Sequence, residues 1–265
     1  MTRFVQTRDG YRIAYSCSGK GSGLVLLHGG FIQNRSIWTE LSYVSKLQQQ
    51  YTVVTIDLRG HGESSKPIIE QAYSIEQLIQ DINLVTEAVG LKKFFLWGFS
   101  LGASIALHAA VRQKLYGVVA TGSFFGQELI DYGKQNISSL EAAVQAKAEN
   151  RLDRLKLSSE ERFFVENADL DIALAISRAM AKWLKIEPDM IKSPLFLYAG
   201  TNDESIYSIL KKQSNNIWNA EIRLNFFEGL DHFQAISEKK IVLPIIEKFL
   251  LNCQTYSGLQ VYQGQ

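Results

Sequence analysis

The chain has 265 residues, enough to bury a large core as one α/β domain carrying an inserted subdomain. It is 46% hydrophobic and 21% charged, and a net charge of +1 announces no basic face of the kind that grips nucleic acid. The opening stretch MTRFVQTRDGYRIAY lacks the apolar core of a signal peptide, and runs such as IVLPII are too short to cross a bilayer.

Cys17 and Cys253 fit no metal or redox spacing, so the expectation is two idle thiols in a cytoplasmic protein.

Along the chain two periods alternate. YRIAYSC reads as a half-exposed strand, whereas LVLLH and YTVVTIDL are short runs typical of strands buried on both faces. Between the last two, RSIWTELSYVSKLQQQ carries apolar residues at helical spacing. SIEQLIQDINLVTEAVG repeats the pattern, with Ser74 as N-cap and Gly90 at its end. Then follow strand KKFFLWG, helix LGASIALHAAVRQ, strand YGVVATG and, after a gap, strand PLFLYAG, helix SIYSILKKQ, strand EIRLNFF and helix AISEKKIVLPIIEKFLL. Pro244 inside that last helix predicts a kink or break. Strands alternating with helices imply a parallel sheet covered on both sides.

The gap from Phe124 to Ile191 holds no convincing strand but the helical stretches ISSLEAAVQAKAEN from Ile137, SSEERFFVEN and DIALAISRAMAKWLK, which predicts a small helical subdomain of functional use. The expected division is a core of residues 1–123 and 192–253, a cap of 124–191, and an uncharged tail of 254–265.

Three motifs carry chemistry. In LWGFSLGAS the spacing G-x-S-x-G follows a strand and opens a helix, the context that makes Ser100 a nucleophile on a strained turn. Gly98 and Gly102 leave room for close approach of the neighbouring strand and helix. LVLLHGGF ends a buried strand with His28-Gly29-Gly30. An acyl-transfer intermediate needs two donors for its oxyanion, and the expected pair is the backbone amides of Gly30 and Leu101, with Phe31 next in line. IDLRGHGES makes a glycine-punctuated turn in which His61 reads as architecture, beside Asp57 and Arg59; His28 likewise reads as a loop brace. GKGSG at 19–23 lacks the Walker ending and precedes a strand, so it is a turn.

HGG, DLRGHGES and GFSLG stand in the order and rough spacing of the α/β-hydrolase superfamily, which the chain resembles from about Phe4 to Leu251. The resemblance implies the α/β-hydrolase fold, a mostly parallel sheet of about eight strands with a helical cap inserted after the sixth.

A serine hydroxyl needs a general base. Of four histidines, His108 lies two helical turns beyond Ser100, and His28 and His61 are set aside, which leaves His232 on the loop before the last helix. The chain order serine, acid, histidine selects the same residue. For the acid, the family's G-x-x-D position falls on Asp203; Glu204 and Asp231 are its competitors. Asp231, adjacent to His232, reads as a turn residue; it stands where the family commonly has glycine, and the alternative is that its carboxylate raises the pKa of the base or binds a polar substrate group.

The resulting expectation is a serine hydrolase acting on a small ester, thioester or lactone, with catalytic residues Ser100, Asp203 and His232 and no cofactor or metal. Serine at the nucleophile position argues against dehalogenases and epoxide hydrolases, whose family members use aspartate there. Phe31, Phe99, Phe124 and Trp183 are expected around the substrate, with Phe125, Phe163 and Phe164 first of all cap core. A small molecule is the expected partner, with no nucleic acid or membrane, in a monomer or homodimer. Two alternatives share the triad: carbon–carbon hydrolysis of a diketone-like substrate, and a ligand receptor with little turnover. HGGF lacks the proline of the family's aminopeptidase variant.

Overall fold

A computed structural model describes residues 1–256 of the chain. Its strands are β1 (Arg3–Gln6), β2 (Arg12–Ser18), β3 (Ser22–Leu27), β4 (Tyr51–Ile56), β5 (Phe94–Phe99), β6 (Gly117–Thr121), β7 (Leu195–Gly200) and β8 (Ile222–Phe227). They form one eight-stranded sheet in the order β1-β2-β4-β3-β5-β6-β7-β8. Pairings β1–β2 and β2–β4 are antiparallel and the rest are parallel.

The helices are α1 (Ile37–Glu40), α2 (Tyr43–Leu47), α3 (Ile75–Ala88), α4 (Leu101–Arg112), α5 (Gln127–Ala148), α6 (Ser159–Asn167), α7 (Leu170–Met180), α8 (Glu204–Ser214), α9 (Gln234–Ser237) and α10 (Lys239–Tyr256). Among the described residues no helix is long and apolar enough to cross a membrane.

Strands β5, β6 and β7 are buried along their whole length, and their side chains sort by parity onto two cores. Val25, Leu27 and Leu96 enter the core shared with α3, α4 and α8. Leu24, Leu26, Phe95 and Trp97 enter the opposite core, shared with α1, α2, α9 and α10. Helices on both faces therefore leave the strand ends as the place where loops gather.

Strands β2 to β8 fall where the sequence places them, β1 is an added edge strand paired with β2, and three helices differ from expectation. The run 35–50 is broken at Ser42, which adopts φ 60°. Trp38 and Tyr43 both lie against Trp97, with ring centroids 5.4 and 5.0 Å away. Five residues apart on one helix they would diverge by about 140°, so the aromatic cluster wins over helical continuity. At the C-terminus the break falls at Glu238 and α10 runs on through Pro244. Pro244 is exposed, so the Lys240 carbonyl that loses its partner is left to water. Helix α5 begins at Gln127, ten residues ahead of the expected Ile137. Of the expected tail, residues 254–256 continue α10 and 257–265 lie outside the described residues.

Helices α5, α6 and α7 lie between β6 and β7, as the inserted segment predicts. They share a small core of Leu140, Val165, Leu170 and Leu174. Ser158 caps α6 through a reciprocal box with Glu161, and the Asp169 side chain caps α7.

Strand β5 and helix α4 meet so closely that a methyl group at Gly98 would overlap the Gly102 carbonyl. Gly98→Ala is expected to destabilise the fold by about 1–3 kcal/mol, read as a lower midpoint in thermal or urea unfolding.

Candidate active site

Five loops leave the C-terminal ends of β3, β5, β6, β7 and β8 at one rim of the sheet. They bring Gly30, Ser100, Gly122, Asp203 and His232 to one cavity of about 260 Å³.

Ser100 is the residue between β5 and α4, and its backbone sits at φ 52° and ψ −114°. Such a conformation is costly for a residue with a side chain, and the surroundings hold it: Ser100 N–H donates to Thr121 O at 2.8 Å, and Gly102 N–H donates to His28 O at 3.2 Å. The hydroxyl has no hydrogen-bond partner among the described residues.

Asp203 directly precedes α8, where an aspartate usually caps the helix, yet its side chain makes no cap bond. Its Oδ2 instead accepts a hydrogen bond from His232 Nδ1 at 2.6 Å. The carboxylate is 7% exposed and the imidazole 42%, so a nearly dry acid holds a ring that opens to the cavity. Two neighbours fix the ring's seat. Phe99 lies beside it with centroids 5.0 Å apart, and a methyl at Gly122 would come within 2.7 Å of His232 Cε1. With Nδ1 engaged, Nε2 is the nitrogen left to take a proton.

Gly30 and Leu101 adjoin: a Cβ at Gly30 would lie 3.4 Å from Leu101 Cβ. Neither of their amides has a hydrogen-bond partner among the described residues, whereas the Phe31 amide donates to His61 Nε2 at 2.8 Å. Phe31 is thereby removed as an amide donor to the cavity.

The other histidines are structural. His61 Nδ1 donates to Arg59 O at 3.0 Å, the tautomer its accepting Nε2 requires. His28 Nε2 accepts from Leu58 N–H at 3.0 Å, and its Nδ1 donates to Gly29 O at 2.5 Å. His108 is buried with its ring nitrogens at Ser104 O and Leu184 O. Burial pushes the pKa of His28 well down, helped by the neighbouring His61, and burial lowers His61 as well.

Phe31 and Phe124 line the cavity. Phe99 and Trp183 do not: Phe99 supports His232 from the core, and Trp183 is buried against His108 with Nε1 donating to Tyr73 O at 3.0 Å. Phe125 and Phe164 are cap residues with buried or half-buried rings, but Phe163 is 56% exposed. The lining also includes Ser104, Ser123, Tyr132 and Met180, which sequence reasoning missed. Ser104 was within reach, since four residues after Ser100 on a helix is the same face; Ser123 and Met180 depend on how the loop and cap fold.

Asp231 is exposed and spoken for by its own turn. Its Oδ1 accepts from Gln234 N–H at 2.7 Å, and Gln234 Oε1 accepts from Asp231 N–H at 2.9 Å. This reciprocal pair opens the turn into α9.

Fold and site together are those of a hydrolase-type α/β architecture with a serine elbow. A family model described as the alpha/beta hydrolase fold matches residues 23–237, and the chain belongs to that family. Among curated relatives, epoxide hydrolase 4 of Homo sapiens is 35% identical over 111 residues, which is 41% of this chain and 30% of that protein. A fluoroacetate dehalogenase of a Burkholderia species is 38% identical over 87 residues, covering 32% of this chain and 28% of that one. The chain thus matches less than a third of these relatives' length. Solved structures cover it more fully: a carboxylesterase of Nitrososphaera gargenis has a TM-score of 0.75 at 22% identity over 96% of this chain and 99% of that one. A thermophilic esterase of Thermogutta terrifontis has a TM-score of 0.73 at 19% identity over 96% and 99%. At such identities the likeness establishes the fold.

Two predictions arise from these side chains. His28 and His61 are neutral in the fold and have lowered pKa values, so between those values and about 6.5 the unfolded chain binds more protons. Stability is therefore full above pH 6.5 and falls as pH drops below it, by up to about 1.4 kcal/mol per pH unit for each ring; thermal melts from pH 8 to 5 measure this. For Asp231, a capping role makes Asp231→Asn nearly neutral and Asp231→Ala costly by about 1 kcal/mol. A changed pH–rate profile in Asp231→Asn would instead reveal a charge acting on His232.

Proposed function

We propose that the chain is a serine hydrolase that cleaves a small carboxylic ester, thioester or lactone through an acyl-enzyme on Ser100. The observation that carries this reading is the 2.6 Å bond from His232 to a nearly buried Asp203, in the same cavity as a serine on a strained elbow.

In this mechanism the imidazole takes the Ser100 proton at Nε2 as the hydroxyl attacks the carbonyl carbon. Asp203 keeps the ring in the Nδ1–H form and stabilises the cation. Negative charge on the former carbonyl oxygen rests on the Gly30 and Leu101 amides, which meet at the start of α4, where the helix dipole adds positive potential. The imidazolium returns its proton to the leaving group, and a water activated by the same ring then releases the acid.

Several curated relatives are described as epoxide hydrolases or dehalogenases, and nucleophile chemistry separates this chain from such reactions. Attack on saturated carbon by a carboxylate leaves an ester that water can open. The same attack by Ser100 would leave an ether, which a histidine-activated water does not cleave. Attack on a carbonyl leaves an ester, and turnover follows. The cavity, at about 260 Å³, lies below the roughly 300–1,000 Å³ usual for drug-sized ligands, which favours short acyl groups.

The test is a panel of 4-nitrophenyl esters of increasing acyl length, with a fluorophosphonate probe for Ser100. Hydrolysis should be best for short acyl chains, and Ser100→Ala should abolish labelling and lower kcat by about 10⁶-fold. Labelling of Ser100 without turnover of any ester moves the reading to carbon–carbon hydrolysis or a receptor; absence of labelling removes the serine mechanism.

A further inference from the structure

The cavity wall carries apolar residues such as Phe124, Leu129, Met180 and Ile206, and four hydroxyl-bearing residues outside the triad: Tyr132, Ser205, which leans on Asp203, and the pair Ser104 and Ser123. Ser104 stands one turn beyond Ser100 on α4, and Ser123 follows β6. Both residues are buried, at 4% and 2% exposure, and their Oγ atoms lie 2.9 Å apart. Ser104 is additionally tied to the elbow, with Oγ donating to Ser100 O at 3.3 Å.

Proton counting shows what remains. A hydroxyl donates one hydrogen bond and accepts two. If Ser104 donates to Ser100 O, Ser123 donates to Ser104 and keeps two lone pairs open. If Ser104 turns its proton to Ser123, the Ser123 proton is the one set free. The Ser123 hydroxyl has no other partner among the described residues and Ser123 lines the cavity, so in either arrangement it keeps capacity for a ligand. A buried hydroxyl left incomplete beside an apolar ligand costs stability in the complex, whereas a ligand oxygen completes it.

We infer that the Ser104–Ser123 hydroxyl pair makes the site selective for substrates carrying an oxygen substituent, hydroxyl or carbonyl, a few bonds from the scissile carbonyl. This rests on the ester-hydrolase reading above. Ser123 is the specificity-determining member, and Ser104 orients it from the helix that also carries the elbow.

Two isosteric pairs of esters test it, each exchanging one methyl for one hydroxyl: methyl 3-hydroxybutyrate against methyl 3-methylbutyrate, and 2-hydroxypropyl acetate against 2-methylpropyl acetate. The first pair probes the acyl side and the second the alcohol side. In at least one pair the hydroxylated member should have the higher kcat/KM by about tenfold or more. Ser123→Ala should bring that ratio close to one, chiefly by raising KM for the hydroxylated ester, and Ser123→Thr should retain part of it. Equal kcat/KM within both pairs in the wild-type protein overturns the inference. So does a Ser123→Ala variant that keeps the preference, or that slows both members of a pair by the same factor, as a merely bracing serine would. Fluorophosphonate labelling of Ser100, run alongside, separates the two levels: labelled protein without the preference refutes this inference alone, and unlabelled protein refutes the ester-hydrolase reading beneath it.

Discussion

The turn between β5 and α4 depends on a close fit of backbone to backbone, and the rest of the rim is arranged around it. Ser100 occupies a positive-φ conformation because Gly98 and Gly102 let strand and helix approach without side chains between them. The same approach lets the Gly102 amide reach His28 O, which fastens the loop after β3 to the start of α4. Gly30 and Leu101 are neighbours as a result, and their amides stay without a hydrogen-bond partner among the described residues. One local distortion thus sets both the position of Ser100 and the meeting of the β3 loop with the start of α4.

The buried imidazoles show how the fold allots one chemical group to different tasks. His28 and His61 each accept an amide proton on Nε2 and donate from Nδ1, so each is locked as a neutral brace between loops. His232 is built the other way, with its donor committed to a carboxylate and its second nitrogen uncommitted. Burial and partner, rather than residue type, separate the brace from the candidate base.

Much of this was legible beforehand because it is local or periodic. Apolar runs such as LVLLH and KKFFLW announce buried strands, and G-x-S-x-G between strand and helix announces the elbow. What could not be read is set by distant packing. Ser42 breaks a helix because Trp38 and Tyr43 must both reach Trp97 from another strand. Phe99 and Trp183 were expected near the substrate on aromatic character alone. Residue parity on β5 turns Phe99 into the core under His232, and Trp183 is held by an indole hydrogen bond to Tyr73 O and an edge contact with His108 of α4. Ser123 and Met180 enter the cavity from segments whose directions no periodicity specifies.

The ring of Phe31 has a second neighbour whose position gives it weight. It meets Phe164 of α6 edge-on, with centroids 5.1 Å apart, while its amide is held by His61 in the core. One residue is therefore anchored at its backbone to the hydrolase body and at its side chain to the cap. Gly30, which lines the cavity, precedes it directly, so any displacement of α6 from the body must break an aromatic contact one residue from the cavity wall. The cap and the loop after β3 are mechanically joined at a single phenyl ring.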